Sequence, residues 1–364
     1  MRKLLLTILA LVVVAALFSG CTPKAGDTSP GTVISQETAS ARGDTSNAGN
    51  VSASGASSED PPLNTEDILI HIGGLKGPTS MGLVKLLADS REGKSFNRYE
   101  FTLSGSADEV TPKLINGELD IAAVPANLAS VIYNNTGGKI KLLAINTLGV
   151  LYIVENGDTI TKLADLGGKT IYATGRGSIP EYVLNYLLAE NGLDPAKDVN
   201  IEWKTEPTEV VSLMVQNQGT IAMMPQPYVT VAQGAIENLR IAVDLTKEWD
   251  ALGNDSMLLT GVLVVRSDFA ERYPGRIAEF LEEYRASTEF VNANIAEASI
   301  LIEGFDIINA VVAEKALPYC NIVFYGGEDM RVAMQGYLQV LYDQNPQSVG
   351  GALPDDGFYY RFER

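Results

Sequence analysis

The sequence predicts an α/β protein of two similar lobes, each a mainly parallel sheet flanked by helices, joined by a hinge that the chain crosses twice. Three observations carry this. Strand-like and helix-like segments alternate, which implies parallel strands with helices on both faces. The order strand, Gly-rich loop, helix, strand, helix, strand, Pro loop occurs twice, at an offset of 100 residues. Two further apolar strands, Leu151–Val154 and Gly261–Val265, stand where the chain leaves the first unit and where it returns from the second.

The first unit opens with Ile68–Ile72 and runs through Gly73-Gly74-Leu75-Lys76-Gly77-Pro78-Thr79-Ser80 into a helical stretch carrying Met81, Val84, Leu86 and Leu87. Its counterpart is Lys169–Ala173, the loop Thr174–Pro180 and a helical stretch carrying Tyr182, Val183, Tyr186 and Leu187. Three anchors hold the register. Lys76-Gly77 corresponds to Arg176-Gly177, Glu109-Val110 to Glu209-Val210, and Ile121–Pro125 to Ile221–Pro225. Tyr99–Leu103 and Val199–Trp203 are the strands between them. Residues 275–296 then read as an amphipathic helix, because Ile277, Phe280, Leu281, Tyr284, Thr288, Val291 and Ile295 step by three or four. Met334, Tyr337, Leu338 and Leu341 predict another over 328–343. Both are expected to pack on the first lobe and brace the hinge.

The N-terminal residues have a different composition. Arg2 and Lys3 precede an apolar run, Leu4–Phe18, of signal-peptide length. Leu17-Phe18-Ser19-Gly20-Cys21 resembles the bacterial lipobox, in which the signal is cut and the cysteine acylated; Phe18 departs from the usual aliphatic residue. Residues 22–64 are rich in Ser, Thr, Gly, Ala and Asn and poor in large apolar residues, the composition of a flexible linker. The expected organisation is therefore signal peptide 1–20, lipidated Cys21 with its linker 21–64, first lobe 66–155 plus 259–364, and second lobe 156–258. The chain carries two cysteines, so lipidation of Cys21 leaves Cys320 unpaired. The net charge of −18 argues against a nucleic-acid partner.

Four segments resemble a known group in order and spacing: Asn116–Ala122, Leu163–Ile171, Asn191–Val199 and Val264–Ala270 followed by Tyr273-Pro274. They are similar to the type II periplasmic-binding-protein fold, in the ABC-transporter branch for nitrate, sulfonates, taurine and thiamine-pyrimidine precursors. The ending Gly350–Tyr360 looks characteristic of a subgroup. The resemblance implies an extracytoplasmic lipoprotein, anchored to the bacterial cell membrane, that binds a small molecule between its lobes. It implies an ABC permease and its ATPase as partners, a monomer, and no catalysis.

In that fold the ligand lies at strand C-terminal ends and helix N-termini, where backbone N–H groups favour anions. Four loops then face the cleft. Leu75–Met81 offers Lys76, Thr79, Ser80 and Met81; Pro125–Asn127 offers Asn127; Thr174–Glu181 offers Arg176 and Ser178; Pro225–Tyr228 offers Gln226 and Tyr228. Arg176 between two glycines suits a bidentate grip on a carboxylate, sulfonate or phosphate, and the expected ligand is a small organic anion or heterocycle, of sulfonate, carboxylate or pyrimidine-precursor type. Thr79, Ser80, Ser178 and Asn127 also suit helix capping, and Tyr228 suits wall packing. Trp249, Asn254 and Ser256 precede the return crossing without a place in the site. The sole histidine, His71, lies in a strand expected to be buried. One histidine and two cysteines supply neither a zinc cluster nor a nucleophilic triad, so no cofactor or metal is expected. A ligand sensor and an enzyme on the same fold are the other classes in view.

Overall fold

The computed structural model describes residues 68–361. The signal, Cys21 and linker lie outside them. β1 (Leu69–Leu75) leads into α1 (Pro78–Met81) and α2 (Val84–Arg91), followed by β2 (Arg98–Ser104), α3 (Ala107–Asn116), β3 (Ile121–Pro125), α4 (Ala126–Thr136) and β4 (Ile140–Leu148). The next stretch holds β5 (Leu151–Glu155), β6 (Thr170–Thr174), α5 (Ile179–Glu190), β7 (Asn200–Lys204), α6 (Pro207–Gln216), β8 (Ile221–Pro225), α7 (Tyr228–Ala235), β9 (Arg240–Asp244) and α8 (Leu245–Ala251). The last holds β10 (Leu259–Arg266), α9 (Ser267–Arg272), α10 (Pro274–Ala293), α11 (Ile295–Gly304), α12 (Ala310–Ala316), β11 (Ile322–Tyr325) and α13 (Gly327–Gln344). Among the described residues no helix is long and apolar enough to cross a membrane.

These strands form two sheets, ordered β11-β4-β10-β3-β1-β2 and β7-β6-β8-β5-β9. Apart from β11 they share one plan. In each, the first three strands of the repeat pair in parallel, and an antiparallel strand then separates the third from the fourth. In the first sheet β10, reached only when the chain returns, enters between β3 and β4; in the second β5, the first strand after the crossing, enters between β8 and β9. Each sheet is therefore mainly parallel, as the repeat predicts, with four strands running one way and an antiparallel strand inserted among them. The expected limit of the first lobe at residue 155 is corrected, because β5 belongs to the five-stranded sheet and the first crossing falls at Gly149-Val150.

The repeat is real in register. Ile72 pairs with Phe101 and with Ile121, as Ile171 pairs with Ile201 and with Ile221. The offset is 99 in the first strand and 100 in the other two, since the loop to Gly177 is one residue longer than the loop to Gly77. Side chains alternate between faces along each strand. Ala122 and Val124 join an apolar cluster that continues through Met334, Tyr337 and Trp249 to Ile171 in the other sheet and Leu184 and Leu187 on α5. Ile121 and Ala123 face a second cluster with Ile70, Met81, Phe280, Tyr284 and Cys320. Ala222 and Met224 face a third with Tyr152, Val210 and Met214. The periodic residues of α10 and α13 behave as their spacing requires: Ile277, Phe280, Tyr284, Met334, Tyr337 and Leu341 are fully buried. His71 departs from expectation. It is half-exposed on β1, with its ring Nδ1 3.2 Å from the Asp120 carboxylate.

Close packing holds both crossings. A Cβ on Gly149 would stand 2.2 Å from Thr246 Oγ1 and 2.7 Å from Leu258 Cδ2. The return crossing is tied by Trp249 Nε1–H to Ser256 Oγ (2.9 Å), Ser256 Oγ–H to Asn254 Oδ1 (2.8 Å), and Asn254 Nδ2–H to Tyr186 OH (2.9 Å). Trp249, Asn254 and Ser256 thus serve the hinge. Trp249 lies against Tyr186 and Tyr337, so the rings bridge the helices of both sheets.

Glu155, at the end of β5, fastens the strand that has crossed. Its buried carboxylate accepts from Thr159 N (2.9 Å), Thr159 Oγ1 (2.6 Å), Ile160 N (3.0 Å) and Arg240 Nη2. Burial raises its pKa, but these donors and the Arg240 charge outweigh burial and hold it below its ordinary 4.5.

Two outcomes follow from these contacts. Gly149→Ala overpacks the crossing and should lower the melting temperature by roughly 3–8 °C in calorimetry; an unchanged value would mean that the crossing relaxes freely. Glu155→Gln should destabilise the protein by roughly 2–4 kcal/mol at neutral pH. A lowered folded-state pKa stabilises above the unfolded value and loses that contribution as pH falls through the folded one. The gap between wild type and Glu155→Gln in urea titrations should therefore narrow below pH 4.5; a gap independent of pH contradicts the role of the charge.

Candidate functional site

The parallel strands of both sheets end at one cleft of about 540 Å³, within the range of small-molecule sites. All four loops expected there reach it. From the first sheet come Lys76, Thr79 and Asn127; from the second come Ser178, Gln226 and Tyr228. The floor is the hinge itself, since Val150, Leu151 and Thr260 line it beside the first crossing and β10.

Three of the residues expected in the site do not line it. Ser80 is fully buried and its hydroxyl donates to Leu75 C=O (2.7 Å), closing the turn that Gly77, at φ 126°, makes possible. Met81 belongs to the core beneath. Arg176 is exposed, on a loop turned by Gly175 (φ 85°) and Gly177 (φ 74°), and is absent from the cleft walls. The loop's own helix satisfies it instead: Gly177 N donates to Glu181 Oε2 (2.5 Å) and Ser178 Oγ to Gly175 C=O (2.7 Å).

The same device recurs at the pair Glu109 and Glu209. Gly105 N donates to Glu109 (3.2 Å) and Thr205 N to Glu209 (3.4 Å), each four residues on. Carboxylates placed here already answer the positive ends of α3, α5 and α6. The charged side chains on the cleft walls are Lys76 and Asp108, of opposite sign; most other wall residues are apolar, among them Pro78, Pro180, Pro227, Ile179 and Tyr228.

Gln226 is the exception within this setting. It is 1 % exposed. Its backbone N–H donates to Val150 C=O at the crossing (2.9 Å), and its side-chain Oε1 accepts from Thr230 Oγ1 (2.9 Å) and Thr230 N (3.4 Å). Those bonds fix which end of the amide is which. Nε2 is left as a buried donor with no hydrogen-bond partner among the described residues, an arrangement that is costly unless something else accepts.

A wall that the loops do not predict comes from the C-terminal segment, through Gln347 and Ser348. Asn127 does not present its amide to the cleft alone: its Nδ2 donates to Ser348 C=O (2.9 Å). One turn on, Ser130 Oγ donates to Val349 C=O (2.8 Å), and Asn134 Nδ2 donates to Val349 C=O (2.9 Å) and Ala352 C=O (2.7 Å). Tyr133 packs edge-on against Phe358. A polar stripe on α4 thus straps the chain end beside the site. The stripe's spacing is visible in the sequence, its partner is not. Tyr182, also on the wall, is missed too, as is Asp108; burial and the Glu181 charge raise the Tyr182 hydroxyl pKa, and the Asn345 side chain opposes them.

Solved structures share this architecture. One described as an ABC transporter from Parabacteroides distasonis is 23% identical over 81% of this chain and 99% of its own, with a TM-score of 0.69. The periplasmic aliphatic sulphonate binding protein of Escherichia coli is 17% identical over 78% and 95%, with a TM-score of 0.62. The periplasmic nitrate-binding protein of Synechocystis is 12% identical over 81% and 92%, with a TM-score of 0.53. No protein of curated function matches the chain in sequence. At these identities the structural likeness establishes the two-lobed fold. Kinship rests on the sequence match to the NMT1-like family over residues 88–303, from within α2 to the end of α11, which makes this chain a member of the NMT1-like family.

Proposed function

We propose that this chain is the extracytoplasmic solute-binding component of an ABC importer, tethered to the cell membrane through Cys21 and delivering its solute to a permease. The Gln226 amide carries the reading: a buried donor, oriented by Thr230 and lacking a partner, on the wall of a cleft between two lobes. Such a donor suits a solute with a carbonyl or ring-nitrogen acceptor. Binding rather than catalysis is further supported by the place of the sole histidine. His71 is four residues, about 13 Å of extended strand, from the cleft end of β1.

Of the two solute chemistries expected from the sequence, the walls favour an uncharged heterocycle over a sulfonate or nitrate. Arg176 lies outside the cleft, Asp108 opposes Lys76, and carboxylates already occupy the loops before α3, α5 and α6. Prolines and Tyr228 supply flat apolar surface for a ring.

Thermal-shift and calorimetric titrations with thymine, cytosine, orotate, taurine and nitrate test this. Thymine or cytosine should raise the melting temperature, since a ligand bound only to the folded state stabilises it; a larger shift with taurine or nitrate would overturn the uncharged-ring reading. The double substitution Gln226→Leu with Thr230→Val removes both polar partners, so the unliganded protein should keep its stability within about 1 kcal/mol. Affinity for the pyrimidine should fall at least roughly tenfold. Arg176→Ala should leave it within about twofold, and a large loss there would return Arg176 to the site.

A further inference from the structure

We propose that the C-terminal segment is a third recognition wall of the cleft and that Gln347 is a specificity-determining residue on it. The inference rests on the binding role proposed for the cleft. Residues 345–352 are fixed beside the cleft by an array of bonds that also seats Val349 in the core. Three side chains on one face of α4, Asn127, Ser130 and Asn134, bond to the carbonyls of Ser348, Val349 and Ala352. Gly350, at φ 90°, lies so close to α4 that a Cβ would stand 3.0 Å from the Val131 Cα.

This array immobilises a backbone and leaves one side chain uncommitted. The Gln347 N–H donates to Asn345 Oδ1 (3.1 Å) and its carbonyl accepts from Gly350 N (3.2 Å). The neighbouring Ser348 hydroxyl is engaged with Asn345 C=O (2.6 Å) and Leu341 C=O (3.1 Å). The Gln347 amide is exposed, lines the cleft and has no side-chain hydrogen bond to the described residues. An amide on a fixed backbone offers a donor and an acceptor, with its own side-chain rotamers left to order on binding. It suits a solute that presents both, such as a ring with adjacent carbonyl and N–H groups. Asn134 is a positioning residue: it acts through the strap and touches no solute.

The test uses the full chain with thymine and cytosine as probes, which present different donor and acceptor patterns on the same ring. Gln347→Ala should lower affinity for the preferred pyrimidine roughly five- to twentyfold, reduce the preference between the two, and leave the melting temperature of the unliganded protein unchanged. Asn134→Ala should reduce the same preference. A merely structural role for Asn134 would weaken both probes equally and leave their ratio intact. If the Gln226 and Thr230 double variant abolishes binding while Gln347→Ala changes neither affinity nor preference, the third wall is wrong and the cleft reading stands. If wild type binds neither probe, the cleft reading for pyrimidines fails and takes this inference with it.

Discussion

The insertion of β10 into the first sheet is the constraint on which the rest of the molecule depends. Each sheet has its three parallel strands from one stretch of chain, but in the first the strand joining them to the fourth arrives only when the chain returns. Without β10, the inner edges of β3 and β4 would present unpaired backbone groups, a cost that the first lobe escapes only when the chain returns, whereas the second sheet is complete within residues 151–244. The two crossings must therefore run side by side, and they must be short. Gly149 and the Trp249–Ser256–Asn254–Tyr186 chain of hydrogen bonds show how tightly they are packed. Because β5 and β10 begin at the hinge, Leu151 and Thr260 become the floor of the cleft. The topology that closes the sheets also places the site.

The electrostatics of that site follow from small choices at the helix ends. A helix N-terminus attracts an anion when its N–H groups lack partners. At α3, α5 and α6 a glutamate in the first turn reaches back to the preceding loop and accepts from it. Those three positive ends are thereby answered from within, whereas α4 and α7, which also begin at the cleft, have no acidic residue in their first turn. Gln226, which lines the cleft, keeps a buried amide N–H without a hydrogen-bond partner among the described residues. Recognition by one oriented donor among apolar walls discriminates by shape and by hydrogen-bond pattern rather than by charge.

Much of this was legible in the sequence because it is local. The periodicity of α10 and α13, the duplicated loops and the pair Glu109 and Glu209 could be read directly, and all four loops reach the cleft. The sheet membership of β5 could not, because Leu151–Val154 reads as a strand whichever sheet receives it. Arg176 was misplaced for a related reason: a basic residue between glycines specifies a turn but not which way it faces. The strap was hidden because its carbonyls are backbone groups. Asn127, Ser130 and Asn134 mark one helical face, but nothing in their spacing names residues more than 200 positions away as the partner.

The division of labour between the two amides follows from where each is attached. Gln226 is bonded through its backbone to Val150, at the first crossing. A group fixed to the hinge keeps its relation to the floor of the cleft whatever angle the lobes adopt, so its bond to a solute contributes to affinity and little to closure. A solute can shift an equilibrium between lobe orientations only through contacts that differ between them. Those contacts must come from walls carried away from the hinge. The strap is fastened to α4 of the first lobe, and across from it stand Ile179 and Tyr182 of the second. A solute touching both is held between surfaces whose separation depends on the angle of the lobes. On the proposed reading, contacts at Gln347 and Tyr182 are the ones able to couple recognition to closure, whereas Gln226 would anchor the solute in either state.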